Sequence, residues 1–160
     1  MQETIKIKKP TEQSHPKILP PHVAIASLIL VIVLHYLYSI PLIPKPFSYL
    51  GIVFFVLGLL ILFWSFGIFK KKETPILPGQ KPTALVIEGP YRFTRNPMYL
   101  GVTTALLGVA VYLGDILAFL APIIFFIFVS LKFIPREEKL MEKLFGNNYL
   151  EYKKKIRRWI

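Results

Sequence analysis

The sequence predicts an all-α, polytopic membrane protein with about four transmembrane helices, and three observations predict it. Of the 160 residues, 54% are hydrophobic, above the usual share of a soluble domain. Four apolar segments approach or meet the requirement for crossing a bilayer, about 20 residues at 1.5 Å rise. The basic residues that give a net charge of +11 fall between those segments, where they mark the cytoplasmic ends of membrane helices, instead of forming the stripe a nucleic-acid-binding surface needs.

Residues 1–21 are polar, contain Pro10, Pro16, Pro20 and Pro21 and show no apolar period, which predicts a flexible cytoplasmic tail. The tail and the apolar stretch after it do not read as a signal peptide: that stretch is too long for a signal h-region and no small-residue cleavage site lies behind it. The predicted spans are residues 22–40, 47–69, 98–113 and 116–134, within a single domain covering 22–160. The third is short and is followed by Gly114-Asp115 as a tight turn, so the third and fourth form a helical hairpin. Pro122 lies near the start of the fourth, where membrane helices tolerate it.

Charge sets the expected orientation. With both termini inside, the outer loops 41–46 and 114–115 hold one basic residue, Lys45, and the other 19 of 20 lie on the cytoplasmic side. Beyond Pro135, Leu140, Met141, Leu144 and Phe145 share one helical face and Gly146 is placed to cap it. Asn148 with Glu151 starts a second short helix that ends in basic residues beside Trp159, suiting an anionic membrane surface. Residues 136–158 are thus expected to form amphipathic cytoplasmic helices. Tyr36, Tyr38, Trp64, Tyr112 and Trp159 read as interfacial anchors, and Phe125, Phe126 and Phe128 as lipid-facing or helix-packing.

Several function classes drop out. The absence of cysteine excludes disulfides, thiolate nucleophiles and cysteine-ligated zinc, and three histidines give little basis for a metal centre. The spans carry no buried charge pair to mark a transport pathway.

Two constellations carry chemistry. The loop 70–97 is longer than a connection between two helices requires. It ends in Thr83-Ala-Leu-Val-Ile-Glu-Gly-Pro-Tyr-Arg-Phe-Thr-Arg-Asn-Pro-Met-Tyr-Leu-Gly101, which gathers two arginines, two tyrosines and an asparagine just before the third span. Two readings stand on these residues alone: a re-entry loop turning at Gly89-Pro90 with Arg92 and Arg95 on lipid phosphates, or a binding site. The second constellation is Arg136-Glu137-Glu138, where the fourth span emerges. Adjacent carboxylates repel, so they are either an acidic first helical turn or the holders of a cationic partner. His35, on the first span, is either a structural histidine or a proton acceptor.

Arg95-Asn-Pro-Met-Tyr-Leu-Gly101, a hydrophobic hairpin and then Glu137-Glu138 resemble the signature of the isoprenylcysteine carboxyl methyltransferases and phospholipid N-methyltransferases. Phe145-Gly-Asn-Asn-Tyr-Leu-Glu-Tyr-Lys-Lys154 is similar to the C-terminal segment of the isoprenylcysteine enzymes, so the resemblance runs from about Thr83 to Lys154. It implies a membrane methyltransferase using S-adenosylmethionine on a lipid-like or isoprenoid-linked acceptor, by carboxylate O-methylation or, alternatively, amine N-methylation. A non-enzymatic membrane scaffold is the reading of another class. The cofactor residues it implies are Thr83, Ala84, Leu85, Val86, Tyr91, Asn96, Pro97, Met98, Tyr99 and Glu137, the last against the cofactor's ammonium. Arg95 and Glu138 are the candidate catalytic residues.

Two departures qualify the resemblance. Asn96 stands where many members have histidine, which keeps a donor and an acceptor but cannot titrate. Phe133 stands where the isoprenylcysteine enzymes have a substrate-anchoring arginine, which leaves Arg136 as the candidate substrate contact and weakens a prenylcysteine assignment. No glycine-rich turn of the kind that opens a soluble nucleotide-binding fold is present, so the expected cofactor site lies among membrane helices, the basic loop and the C-terminal helices.

Overall fold

A computed structural model describes residues 19–75 and 81–160; most of the expected flexible tail lies outside the described residues. Among these the chain is helical and has no strand. Three helical stretches, Pro20–Leu37, Phe47–Lys71 and the first part of Ile116–Lys155, are long and apolar enough to cross a membrane, and the apolar helix Pro97–Leu113 is shorter.

Helix α1, Pro20–Leu37, starts before the expected residue 22, because Pro20 and Pro21 occupy its first turn, where a missing N–H costs nothing. Helix α2, Leu50–Lys71, follows a single 3₁₀ turn, and α3 covers Pro97–Leu113. The α2–α3 seam is built on small residues. Gly51, Gly58 and Ser65 recur at seven-residue intervals on the buried face of α2, opposite Gly101, Ala105 and Gly108 of α3. A Cβ on Gly58 would stand 2.6 Å from the carbonyl oxygen of Gly101, and one on Gly108 2.6 Å from that of Gly51. The two backbones touch, which is how membrane helices gain attraction without a hydrophobic driving force between them.

The fourth apolar stretch begins as a 3₁₀ turn and becomes α4, Leu120–Phe128. A π-helical turn, Val129–Phe133, then feeds directly into α5, Ile134–Lys155. The sequence places a boundary at Pro135, yet the helix runs through it. Proline offers no N–H, and its ring crowds the carbonyl four residues back, here that of Leu131. The wider π turn lies at that point and accommodates the ring. The expected break at Gly146 takes the form of a kink, with φ 50° and ψ −127°, values open to glycine and strained for other residues.

α1 packs on α4, and Val31, Leu106, Phe125, Val129, Phe133 and Ile134 meet in a buried core. At the end of the bundle where α1 finishes, the two short loops are joined. The Gly114 carbonyl accepts from Leu42 N at 2.7 Å and Ile43 N at 3.0 Å, and Ile116 N donates to Ile40 O at 3.1 Å. Asp115 is fully buried there, capping Leu117 N and lying 3.1 Å from His35 Nδ1. His35 is therefore a structural partner of Asp115. It sits about 20 Å along α1 from the residues at the other end of the bundle, where a cavity opens.

Candidate active site

At that opposite end, the described part of the loop before α3, residues 81–96, contributes Val86, Tyr91 and Thr94 to the interior. Its 3₁₀ turn, Gly89–Arg92, places Pro90 and Tyr91 inward, and Thr94 is buried beside them. Pro97 then starts α3, so Arg95 and Asn96 lie directly at the entrance of that helix. α5 emerges beside them. The apolar part of its long helix ends at Ile134, so Glu137 and Glu138 lie one turn beyond the span.

Between these parts lies a cavity of about 770 Å³. Its polar end is bordered by Tyr91, Arg95, Asn96, Tyr99, Glu137 and Glu138, and its apolar wall by Ala24 and Ile25 of α1 and Leu62, Phe63 and Phe66 of α2. Of these, Ile25, Phe63 and Phe66 are exposed, at 56, 66 and 45%. The cavity is thus not sealed along this wall, which is formed by two helices long and apolar enough to cross a membrane.

The two adjacent glutamates have different environments. Glu138 is buried and ion-paired: Arg158 approaches with Nε at 3.0 Å and Nη2 at 2.8 Å, and Arg95 Nη1 lies 3.1 Å away. Burial raises its carboxyl, but these guanidinium groups outweigh burial and hold it below the ordinary carboxylate range. Glu137 has, among the described residues, one partner, the Tyr99 hydroxyl, which donates to Oε1 at 2.6 Å. Burial pushes its carboxyl up to about 7, opposed by the Tyr99 bond and reinforced by the charge of Glu138. One carboxylate is fixed as an anion, and its neighbour is poised near neutrality.

Arg95 supplies the complementary feature. Its side chain is 9% exposed, with Nη1 on Glu138 and, at 3.4 Å, on the Tyr149 hydroxyl, while its buried Nε has no partner among the described residues. A buried guanidinium N–H without a partner is a donor left over at a residue that borders the cavity. Tyr152 donates to the Tyr91 carbonyl at 2.6 Å, and Tyr91 packs on Phe69 with ring centres 5.4 Å apart. Burial raises the hydroxyls of Tyr91 and Tyr152, so both stay neutral.

Of the residues the sequence singles out, Leu85, Val86, Tyr91, Arg95, Asn96, Pro97, Met98, Tyr99, Glu137 and Glu138 border the cavity. Thr83 and Ala84 do not. Thr83 instead bonds to Thr74 Oγ1 and to the Glu73 carbonyl, tying the two ends of the loop together. Arg136 is exposed and outside the lining, and Phe133 is buried in the core. Sequence reasoning missed the α1 and α2 wall, which looks like any lipid-facing helix surface, and the segment after α5. Trp159, expected as an interfacial anchor, stacks on Phe126 with ring centres 4.5 Å apart. Tyr149 and Tyr152, three residues apart on one helical face, were a legible signal of a shared inward side. No group of three potential metal ligands occurs among the described residues.

The family profile for phospholipid methyltransferase matches residues 46–148, which takes in α2, the loop, α3 and most of the cavity. The chain belongs to the phospholipid methyltransferase family. A protein of Haemophilus influenzae (strain ATCC 51907 / DSM 11121 / KW20 / Rd), named as an uncharacterized protein, is 43% identical over 63 residues, 39% of this chain and all of that one. No solved structure matches.

Proposed function

We propose that this protein transfers a methyl group from S-adenosylmethionine to the amine headgroup of a membrane lipid, in the cavity between the loop, α3 and α5. The observation that carries this reading is the union of two environments in one space. Glu137, Arg95 and the tyrosines supply a charged and hydrogen-bonding end, and Ile25, Phe63 and Phe66 open the other end to acyl chains.

The residues present fit the cofactor. Glu137 offers a carboxylate to its ammonium, Arg95 Nε an unused donor to its carboxylate, and Leu85, Val86, Pro97, Met98 and Tyr91 an apolar and aromatic bed for its adenine. When bound, the cofactor supplies an electrophilic methyl on a sulfonium. The cavity is large enough for a ligand of that size and part of a second molecule, given that drug-sized ligands occupy about 300–1,000 Å³.

The chain's own groups act by holding and drying. Tyr99 orients the Glu137 carboxylate, and Glu138 keeps Arg95 in place. The apolar wall strips water from an incoming headgroup. Burial disfavours the charged form of an amine, so the headgroup ammonium gives up its proton to water as it enters and presents its nitrogen lone pair without a dedicated base. Glu138, ion-paired and held anionic, is assigned a holding role. The amine is preferred over a carboxylate acceptor because the described lining offers no further cation: Phe133 is in the core, Arg136 faces outward, and Arg95 is committed to Glu138 and the cofactor. We place the cavity and both termini on the cytoplasmic side of a four-pass bundle, a reading supported by the distribution of Lys and Arg and by the joining of the two short loops at the far end.

Purified protein with methyl-labelled cofactor decides between acceptors. Label should enter the lipid fraction of vesicles containing phosphatidylethanolamine and not a farnesylated cysteine analogue. Labelling of the cysteine analogue alone would replace the amine with a carboxylate. Labelling of neither, together with no binding of S-adenosylhomocysteine, would sink the enzymatic reading in favour of a scaffold.

A further inference from the structure

After α5 the chain leaves helical geometry at Ile156 (φ −117°, ψ 132°) and returns as an extended strap across the motif loop. Its backbone carbonyls hold residues 94–96, and its side chains reach Glu138 and Phe126. The Arg157 carbonyl accepts from Arg95 N at 3.0 Å. The Arg158 carbonyl accepts from Thr94 Oγ1 at 3.1 Å and Asn96 Nδ2 at 2.9 Å. The Arg158 guanidinium makes two parallel bonds to Glu138, the carboxylate that also holds Arg95. Trp159 closes the strap by stacking on Phe126.

We infer that residues 156–159 are a positioning strap for the binding pocket, with Arg158 its central positioning residue: its carbonyl holds the Thr94 and Asn96 side chains and its guanidinium holds Glu138, while the neighbouring Arg157 carbonyl holds the Arg95 N–H, and together these aim Arg95 at the cavity. Arg158 does not border the cavity and so acts through others. The geometry also gives Asn96 a purpose that a titrating side chain would not serve. Its amide N–H₂ donates to a main-chain carbonyl, a bond independent of protonation. A bidentate guanidinium–carboxylate pair carries directional information that a lone ammonium does not, so lysine at 158 is a partial substitute only.

The inference rests on the methyltransferase reading for its ligand, and the test separates the two. Full-length protein in detergent is titrated with S-adenosylhomocysteine, and the backbone amide exchange of residues 94–96 is followed by mass spectrometry. Arg158→Ala should weaken binding by about tenfold to a hundredfold, the usual worth of a charge-assisted hydrogen bond, and speed exchange at Arg95. Arg158→Lys should recover part of both. Lys155→Ala, which removes the same charge from an exposed site nearby, should change neither. If Arg158→Ala speeds exchange but binds as tightly as the parent, the strap is a structural tie only and the inference is overturned. If the parent itself does not bind, the methyltransferase reading fails; the strap is then judged on exchange, and unchanged exchange at Arg95 overturns it too.

Discussion

Helix α3 is treated in two opposite ways along its length. Where it faces α2 it is packed until the two backbones touch, through Gly101, Ala105 and Gly108, with no side-chain chemistry and no room for a ligand. At its first turn, Asn96, Met98 and Tyr99 border an open cavity, and the contacts are specific hydrogen bonds to α5 and the strap. The seam holds the bundle together through dispersion contacts. The cavity end leaves Arg95 Nε without a partner among the described residues. Packing and cavity are therefore assigned to different faces of one helix, Gly101 of the seam following Tyr99 of the cavity by two residues.

The largest expected effect tests the seam. Gly108→Val puts branched carbon where Gly51 O, Phe55 N and Phe55 Cα already stand, and no flexible side chain is available to yield. Overpacking of this kind costs about 1–3 kcal/mol or more even in adaptable cores. The variant should fail to fold, read as loss of the monodisperse peak in detergent. Gly67→Ala, on the same helix pair with open space around its Cβ, should behave as the parent. A stable Gly108→Val would show that the helices can separate and that the seam is not what fixes them.

Next comes Glu138→Gln, which removes the anion shared by Arg95 and Arg158. Breaking a buried pair typically costs about 3–5 kcal/mol, and the loss here should be near about 3 because Arg158 is partly solvated. The pH dependence has a definite sign. Glu138 has its carboxyl depressed in the folded state, so its contribution is fully present above about pH 4.5 and is lost as pH falls through the lower folded value. Thermal unfolding should accordingly separate parent and variant at pH 6–8, with the gap closing in acid. A gap that persists unchanged at low pH would mean the ion pair is not its source.

The legibility of each feature in the sequence depends on where its information resides. The apolar spans, the hairpin at Gly114-Asp115 and the contrast between basic and neutral loops are written locally, in composition over a dozen or more residues. The cavity's polar end was legible as well, because Arg95, Tyr99 and Glu137 belong to the motifs that carry the resemblance to methyltransferases. The apolar wall was not, since Phe63 and Phe66 look the same whether they face lipid or a substrate channel. The strap was not, because Arg158 finds Glu138 across 20 positions with no periodic signal between them. The helix that continues through Pro135 required knowledge of the π turn before it, which no residue type announces.

Glu137→Gln sharpens the cavity side. It keeps size and removes charge, and affinity for S-adenosylhomocysteine should fall by about tenfold to a hundredfold. Glu142→Gln, whose partner is the partly exposed Lys153, should leave affinity nearly unchanged. Equal affinities for the two variants would remove Glu137 from the cofactor site.

The smallest effect concerns Tyr99, and pH makes it resolvable. Its hydroxyl donates to Glu137 and so favours the ionised carboxylate, working against burial. Tyr99→Phe deletes that bond with little change of shape, and a hydrogen bond to a charged group is worth about 1.5 kcal/mol, or about one pKa unit. The Glu137 carboxyl should therefore move from about 7 to higher values. If only the ionised form binds the cofactor's ammonium, apparent affinity rises with pH until the carboxylate is fully charged. In the parent about half the sites are competent at pH 7; in the variant about a tenth are. The expected loss is then about fivefold at pH 7 and almost none at pH 9, where both proteins are ionised. A loss that is equal at the two pH values would mean that Tyr99 acts by packing against the ligand and not by setting the charge of Glu137. No loss at either value would mean that the 2.6 Å bond has no bearing on the ligand at all.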